Sequence, residues 1–191
     1  MSDDKEKQQS PGPRVSPDTS IVVSPLHPDR IGIVARIATP RQNEEGVCDV
    51  CQHLIDHLNL NGGNWSSPIV LSGPEQGIDC ISHSPGNTLN MQVTRAMRDL
   101  EFWATLGKHK SARAYTTREQ LARDLWESIS NKAKASHASV TLVLDASELF
   151  AHHHQDTVNL FRTKYGEKAV ALEFSAIWIV GGHRMFVAQL I

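Results

Sequence analysis

Several features that define common protein classes are missing from this chain of 191 residues. It has no apolar run long enough to cross a membrane, and no basic stretch followed by the apolar segment of a signal peptide. Its three cysteines are an odd number, which argues against a framework of structural disulfides. Together these absences predict a cytoplasmic protein without a membrane partner.

Short enzyme motifs and aromatic platforms are also absent. No Gly-x-Ser-x-Gly, P-loop or dinucleotide fingerprint occurs in the sequence. Aromatic residues make up only 6% of the chain and its four tryptophans are scattered, so Trp126 and Trp178 are predicted to pack in the core. Function therefore has to be sought in single polar residues and their spacing.

Cysteine and histidine residues do not show the spacing of a metal site. Cys48 and Cys51 lie in a predicted helix, on which Cys51 and His53 point apart, whereas structural zinc usually draws its ligands from two segments. Cys51 belongs to the apolar stripe of this helix and Cys80 to a strand, so both are predicted core residues. His152 to His154 occupy successive helix positions, so they cannot bind one ion together, and they are predicted to form a solvated or rim stretch.

Positive charge is unevenly distributed along the chain. The net charge of −2 gives no overall sign of nucleic-acid binding, but no Lys or Arg occurs between Arg41 and Arg95, where six acidic residues lie. Basic residues outnumber acidic ones from Arg95 to Lys134. This pattern favours a cation-binding segment followed by one that meets phosphates; two solvated faces of opposite charge explain it equally well.

Composition and periodicity predict three regions. Residues 1–20 are rich in Pro, Ser, Gln and charge, and are predicted to be a disordered tail. Residues 21–42 form a strand-like or irregular lead-in, and residues 43–191 an α/β domain. Within it, the predicted elements are helices over 44–58, 117–133 and 149–165, the last ended by Gly166, strands at 69–71, 140–144, 176–180 and 185–190, and an ambiguous stretch over 95–115.

A hairpin between residues 78–82 and 89–93 carries the most specific arrangement. Ser84 to Asn87 are turn residues, and the midpoint between Asp79 and Gln92 falls at the centre of that turn. Directly opposed residues have Cβ atoms roughly 5 Å apart, and Thr94 shares the face of Gln92 by strand alternation. The sequence thus predicts a carboxylate, an amide oxygen and a hydroxyl around a hard divalent cation; the alternative is an ordinary hairpin with one polar face.

The segments Gly77 to Asp79 and Leu89 to Ala96 resemble the core of the PD-(D/E)XK nuclease superfamily. In that superfamily, an Asp on the second core strand and an acid-x-Lys on the third bind the metal. The element order over 43–191 is also similar, which implies a restriction-endonuclease-like mixed sheet flanked by helices. The chain departs from the pattern at Gln92, where Glu or Asp is usual, and at Thr94, where the catalytic Lys is expected.

The resemblance implies a Mg²⁺-dependent nuclease that hydrolyses phosphodiester bonds of DNA or RNA. Asp79, Gln92 and Glu44 (or Glu45) would hold the ion with help from the backbone carbonyl of Val93. An acidic residue in a first helical turn is also favoured by the helix dipole alone.

Positive groups complete the predicted site, and the resemblance suggests the first of them. Lys132, near the end of the helix after the third strand, is predicted to replace the missing lysine as a transition-state donor, although a last-turn lysine also suits the helix dipole. Arg95 and Arg98 are predicted to bind the phosphate backbone. Thr94 instead favours a catalytically inactive relative that binds nucleic acid or regulates, and an unrelated α/β domain with a small-molecule pocket is the third interpretation.

Overall fold

The computed structural model describes residues 31–36, 43–71, 77–96, 105, 108–109, 111–134, 139–146, 151–181 and 186–191. The predicted tail over 1–20 lies outside these residues. The strands are β1 (Ile31–Arg36), β2 (Ile69–Val70), β3 (Cys80–Ser84), β4 (Asn87–Arg95), β5 (Ser111–Thr116), β6 (Thr141–Ala146), β7 (Ala176–Gly181) and β8 (Phe186–Gln189), and the helices are α1 (Asn43–Leu60), α2 (Arg118–Ala133) and α3 (Ala151–Val170).

A mixed sheet of six strands in the order β2-β3-β4-β6-β7-β8 forms the centre of the described structure. β2, β3 and β4 pair antiparallel, β4, β6 and β7 pair parallel, and β8 returns antiparallel to β7. The hairpin turn contains Gly86 at a φ of 78°, a left-handed conformation that glycine adopts without steric cost. The predicted α/β class with a mixed sheet flanked by helices is confirmed.

One face of the sheet is covered by α2 and α3. α2 begins at the predicted cap, where the Thr117 side chain accepts a hydrogen bond from the Gln120 backbone N–H at 3.2 Å. The buried stripe of α2 then packs on apolar residues of β6 and β7. Fully burying one such side chain stabilises the fold by about 1.5–3 kcal/mol. The core residues on this face include Leu121, Leu125, Ile129, Leu142, Leu144, Phe161, Ile177 and Ile179.

The prediction that Gly166 ends the third helix is wrong, since α3 continues to Val170. A Cβ at Gly166 would meet nothing within 4 Å, so this glycine lies away from the packed face. Phe161 and Ala169 on either side of it are both fully buried. Their burial outweighs the roughly 1 kcal/mol that a glycine costs inside a helix.

The opposite face of the sheet is covered by α1. Cys51, Leu54 and Ile55 are buried against Cys80 and Met91, so the prediction that both cysteines belong to the core is confirmed. None of the helices in the described ranges is long and apolar enough to span a membrane.

The direction of α1 follows from its contacts with β3 and the segment beside it. Cys51 contacts Cys80 at the start of β3. The Asn59 side chain is hydrogen-bonded to both the N–H and the carbonyl of Trp65. The next residue, Ser66, donates its N–H to the His83 carbonyl near the end of β3. α1 therefore runs from the Asp79 end of β3 toward its turn, and its first turn lies toward the Asp79 end.

A second, two-stranded sheet pairs β1 with β5 antiparallel, with Ile31 opposite Thr116 and Arg36 opposite Ser111. The sequence left the type of both segments open. β1 lies in the predicted lead-in and β5 in the ambiguous stretch between β4 and α2. The lead-in is thus joined by backbone pairing to the crossover of the main domain.

Candidate metal and nucleic-acid site

Asp79 lies directly before β3, where an unshifted β3–β4 register would have placed it opposite Gln92. Its backbone N–H donates to the Met91 carbonyl at 2.9 Å, and its carbonyl accepts from the Leu71 N–H at 3.0 Å. Met91 is the register partner of Cys80, so the ladder shifts by one residue at Asp79, as in a β-bulge. Asp79 is therefore fixed between β2 and β4 at a point where regular alternation ends.

The Asp79 carboxylate is held by β4. Its Oδ2 accepts a hydrogen bond from the Val93 backbone N–H at 2.7 Å in partly buried surroundings. A carboxylate accepting a backbone N–H makes a charge-assisted bond, stronger than a neutral one. This contact orients the carboxylate and satisfies a backbone donor at the end of the ladder.

Gln92 and Thr94 share a face of β4, as predicted. Their register partners on β6, Leu142 and Leu144, both belong to the core beneath α2 and α3. Gln92 is only 4% exposed, and Thr94 is half-buried. The amide of Gln92 thus lies inside the sheet–helix layer and not on an open surface.

The Asp79 charge contributes to the pKa shifts of two buried thiols, Cys51 and Cys80. The pKa of Cys51 is raised by its hydrogen bond to Cys80 and by burial, and further by the negative charge of Asp79. The pKa of Cys80 is lowered, because the hydrogen bond from Cys51 outweighs burial and the charge of Asp79. Gln92 and Thr94 face α2 and α3. The Asp79 carboxylate accepts the Val93 N–H.

The predicted positive groups lie on β4 and α2. Arg95 ends β4 with Asp145 of β6 as its register partner, and the Ala96 N–H donates to the Asp145 carbonyl at 2.8 Å. Lys132 is half-buried in the last turn of α2. Among the described residues, no ion pair joins Lys132 to Asp79.

Two predicted residues have side chains that lie outside the described part of the structure. Glu44 lies in the first turn of α1, toward the Asp79 end of β3, but its side chain is outside the described part of the structure. Arg98 lies outside the described residues altogether.

Sequence reasoning missed two groups near the ends of the parallel strands. Asp145 was overlooked because nothing local marks it as the neighbour of Arg95. His154, predicted to be solvated, is 2% exposed: its ring lies 4.7 Å from that of Phe186, and a Cβ on Gly181 would come within 2.5 Å of its Cε1. The signal that could have indicated this burial is Gly181, a residue without a side chain at the end of an apolar strand.

Acidic, histidine and cysteine side chains do not gather into a conventional ion site in the described ranges, which contain no group of three or more that could hold a metal. The predicted ligand set includes an amide oxygen and Glu44, so it stays a prediction. The chain matches no protein-family model, no curated protein and no solved structure.

Proposed function

We propose that the chain is a nuclease-like protein that hydrolyses nucleic-acid phosphodiester bonds with Mg²⁺ held at Asp79 and Gln92. The supporting observation is the order of elements around this pair: α1, the antiparallel β2–β3–β4 unit, the crossover through α2, and β6 parallel to β4. This order is similar to the core of the PD-(D/E)XK superfamily. Asp79 then directly precedes the second core strand, and Gln92 lies on the third.

The donor atoms at this pair suit a hard cation. Mg²⁺ prefers oxygen ligands and is usually held by one or two carboxylates together with substrate phosphates and water. The Val93 N–H orients the Asp79 carboxylate before any ion arrives. Bound Mg²⁺ would lower the pKa of a water and polarise the phosphate.

Lys132 is the group best placed to compensate for Thr94. Ser128, one helical turn earlier, is fully buried, and its hydroxyl donates to the Ala96 carbonyl at the end of β4 at 3.5 Å. Residues four apart share a helix face, so Lys132 lies above β4 on the side of Gln92 and Thr94. A lysine there would donate hydrogen bonds and positive charge to the transition state, which the neutral Thr94 hydroxyl cannot supply.

Arg95 would bind the phosphate backbone at the end of β4. Its register partner on the parallel neighbour β6 is Asp145, and an ion pair between two such partly exposed side chains would contribute at most about 1 kcal/mol. Asp145 would therefore orient Arg95 without locking it in place. Removing one phosphate contact should reduce the slope of log binding constant against log salt concentration by about 1.

A catalytically silent nucleic-acid-binding module is the second candidate. The observation that favours it is the register shift at Asp79, which interrupts the alternation that would place its carboxylate beside Gln92 on the face of α2 and α3. In a silent module, the Asp79 carboxylate would join β3 to β4 through the Val93 N–H, and Arg95 would supply the phosphate contact. Binding would remain and cleavage would not occur.

Cleavage of mixed DNA and RNA substrates with Mg²⁺ or Mn²⁺ tests the proposal. Asp79→Asn should abolish cleavage, because the amide loses the ligand charge, whereas Asp56→Asn removes an exposed carboxylate of α1 and should leave the rate unchanged. Lys132→Ala should lower the rate by about 10²-fold, and Lys134→Ala, at the exposed C-cap of the same helix, should not.

Two results decide between the candidates. Cleavage that persists in Asp79→Asn would overturn the metal assignment. Undetectable cleavage by the wild-type chain, together with salt-sensitive nucleic-acid binding that weakens in Arg95→Ala, would select the silent module.

A further inference from the structure

All three cysteines of the chain lie where α1 crosses the start of β3. The Cys51 thiol donates a hydrogen bond to the Cys80 sulfur, and both residues are 0% exposed. Cys48 precedes Cys51 by one helical turn, on the same side of α1, and is partly exposed. Burial raises the pKa of Cys48, and Cys80 raises it further. The result is a buried thiol pair with a third, partly exposed thiol one helical turn away.

The pair is already arranged for covalent bonding. A hydrogen bond between two thiols brings the sulfur atoms into contact, which is the arrangement from which a disulfide can form. Direct attack by a dissolved oxidant on either buried sulfur is sterically blocked. Reaction has to begin at the accessible thiol, Cys48.

We propose that Cys51 and Cys80 form a reversible intramolecular disulfide, with Cys48 as the thiol that accepts oxidising equivalents from a low-molecular-weight disulfide. The inference is independent of the proposed nuclease function, because it uses only the three thiols and their packing.

The exchange proceeds in three steps. First, the Cys48 sulfur attacks the small disulfide and gives its proton to the thiol that leaves, which produces a mixed disulfide on Cys48. Second, the Cys51 sulfur attacks the Cys48 sulfur, and a second small thiol leaves with the Cys51 proton. Third, the Cys80 sulfur attacks the Cys51 sulfur, and Cys48 leaves with the Cys80 proton. Overall, two protein thiols are oxidised and one small disulfide is reduced to two thiols.

The bond would tie α1 to the residue that follows Asp79. Because Cys80 is adjacent to the bulge at Asp79, the disulfide would restrict the relative movement of the helix and of this strand start. Excess small thiol would reverse it through the same steps in the opposite order.

Peptide mapping of the full-length chain tests the proposal. The protein is incubated with glutathione disulfide, quenched with acid, and digested with a protease that cleaves before Asp. Asp49, Asp56 and Asp79 then place the three cysteines on three different peptides, whereas trypsin leaves them all between Arg41 and Arg95. The expected product is a link between the Cys51 and Cys80 peptides, with the loss of two hydrogen atoms, which reduction restores.

Variants should stop the exchange at defined stages. Cys80→Ala should accumulate a Cys48–Cys51 link, and Cys51→Ala should accumulate a mixed disulfide on Cys48 that goes no further. Cys48→Ser should stay reduced over the time in which the wild-type chain is converted. Melting curves under reducing conditions verify that each variant is folded. If a variant does not fold, the peptide map of the wild-type chain decides between the proposal and its alternatives.

Four outcomes would overturn the proposal. In the wild-type chain these are no oxidation at all, an end product with glutathione retained on Cys48, an end product linking Cys48 to Cys51, and a link between two chains.

Discussion

Replacing Asp79 by Ala tests the role of its carboxylate in the fold before any metal is considered. The substitution removes the acceptor of the Val93 N–H, which lies at 2.7 Å in partly buried surroundings. A hydrogen bond to a charged group contributes about 1.5–3 kcal/mol. For a chain of this size, 1 kcal/mol corresponds to about 2–4 °C, so the melting temperature should fall by roughly 3–12 °C.

Asp79→Asn separates the acceptor from the charge. The Asn carbonyl oxygen can still accept from Val93, and a neutral hydrogen bond contributes only about 0.5–1.5 kcal/mol. The Asn variant should therefore be more stable than the Ala variant by about 1 kcal/mol and less stable than the wild type. Asp56→Ala serves as the control, because Asp56 is exposed and its removal should change stability by less than about 0.5 kcal/mol.

Urea unfolding at equilibrium and thermal melting, both in chelator-treated buffer, give the free energy of unfolding for all four proteins. If Asp79→Ala is as stable as Asp56→Ala, the Val93 contact does not stabilise the fold and the reasoning is refuted. If Asp79→Asn is as unstable as Asp79→Ala, the charge and not the acceptor is what matters. Since Asp79 is expected to stabilise the metal-free fold, nuclease assays need the Asn variant.

Further predictions concern core packing, thiol access and the proposed ligand. Gly181→Ala should lower the free energy of unfolding by about 1–3 kcal/mol in urea, because the new Cβ would lie 2.5 Å from His154 Cε1 and 2.9 Å from the Ala146 carbonyl oxygen. Gly166→Ala, where a Cβ would meet nothing within 4 Å, should instead raise it by about 0.5–1 kcal/mol. Equal stabilities of the two variants would contradict this packing. In the native reduced chain, a thiol-alkylating reagent should label Cys48 alone, as read by mass spectrometry. The alkylation rate should reach half its maximum at a pH above the pKa of a free cysteine, because burial and the nearby Cys80 and Asp49 raise the pKa of Cys48. Gln92→Glu should lower metal-free stability by about 1–3 kcal/mol by placing a charge at a site that is 4% exposed, and Mn²⁺ should restore it; no response to Mn²⁺ would count against a ligand at this position.

Local signals were enough to predict most of the six-stranded sheet and its helices. The turn at Ser84 to Asn87 set the β3–β4 register, the cap at Thr117 set the start of α2, and the apolar runs gave β6 and β7. Each of these signals lies within a few residues of the structure that it predicts. α3 was predicted too short because its continuation past Gly166 depends on tertiary burial of Ala169.

The site was less predictable, because its details depend on contacts between distant segments. Strand alternation correctly placed Gln92 and Thr94 on one face, but it cannot foresee the register shift at Asp79. The Cys51–Cys80 contact joins a helix to a strand, and helical periodicity alone indicated only that Cys51 is buried. The neighbours Arg95 and Asp145 are paired by a parallel register that no local turn determines.

The pairing of β1 with β5 has a consequence for the order in which the chain folds. The two strands are separated by the whole of α1 and the β2–β3–β4 unit, so their pairing closes a loop of roughly 75 residues, and contacts of such long range form late. A fragment beginning at residue 43 would retain every strand of the six-stranded sheet but would leave β5 without its partner. Fragments intended for expression should therefore include Ile31–Arg36, since otherwise the exposed edge of β5 becomes a template for pairing with other chains.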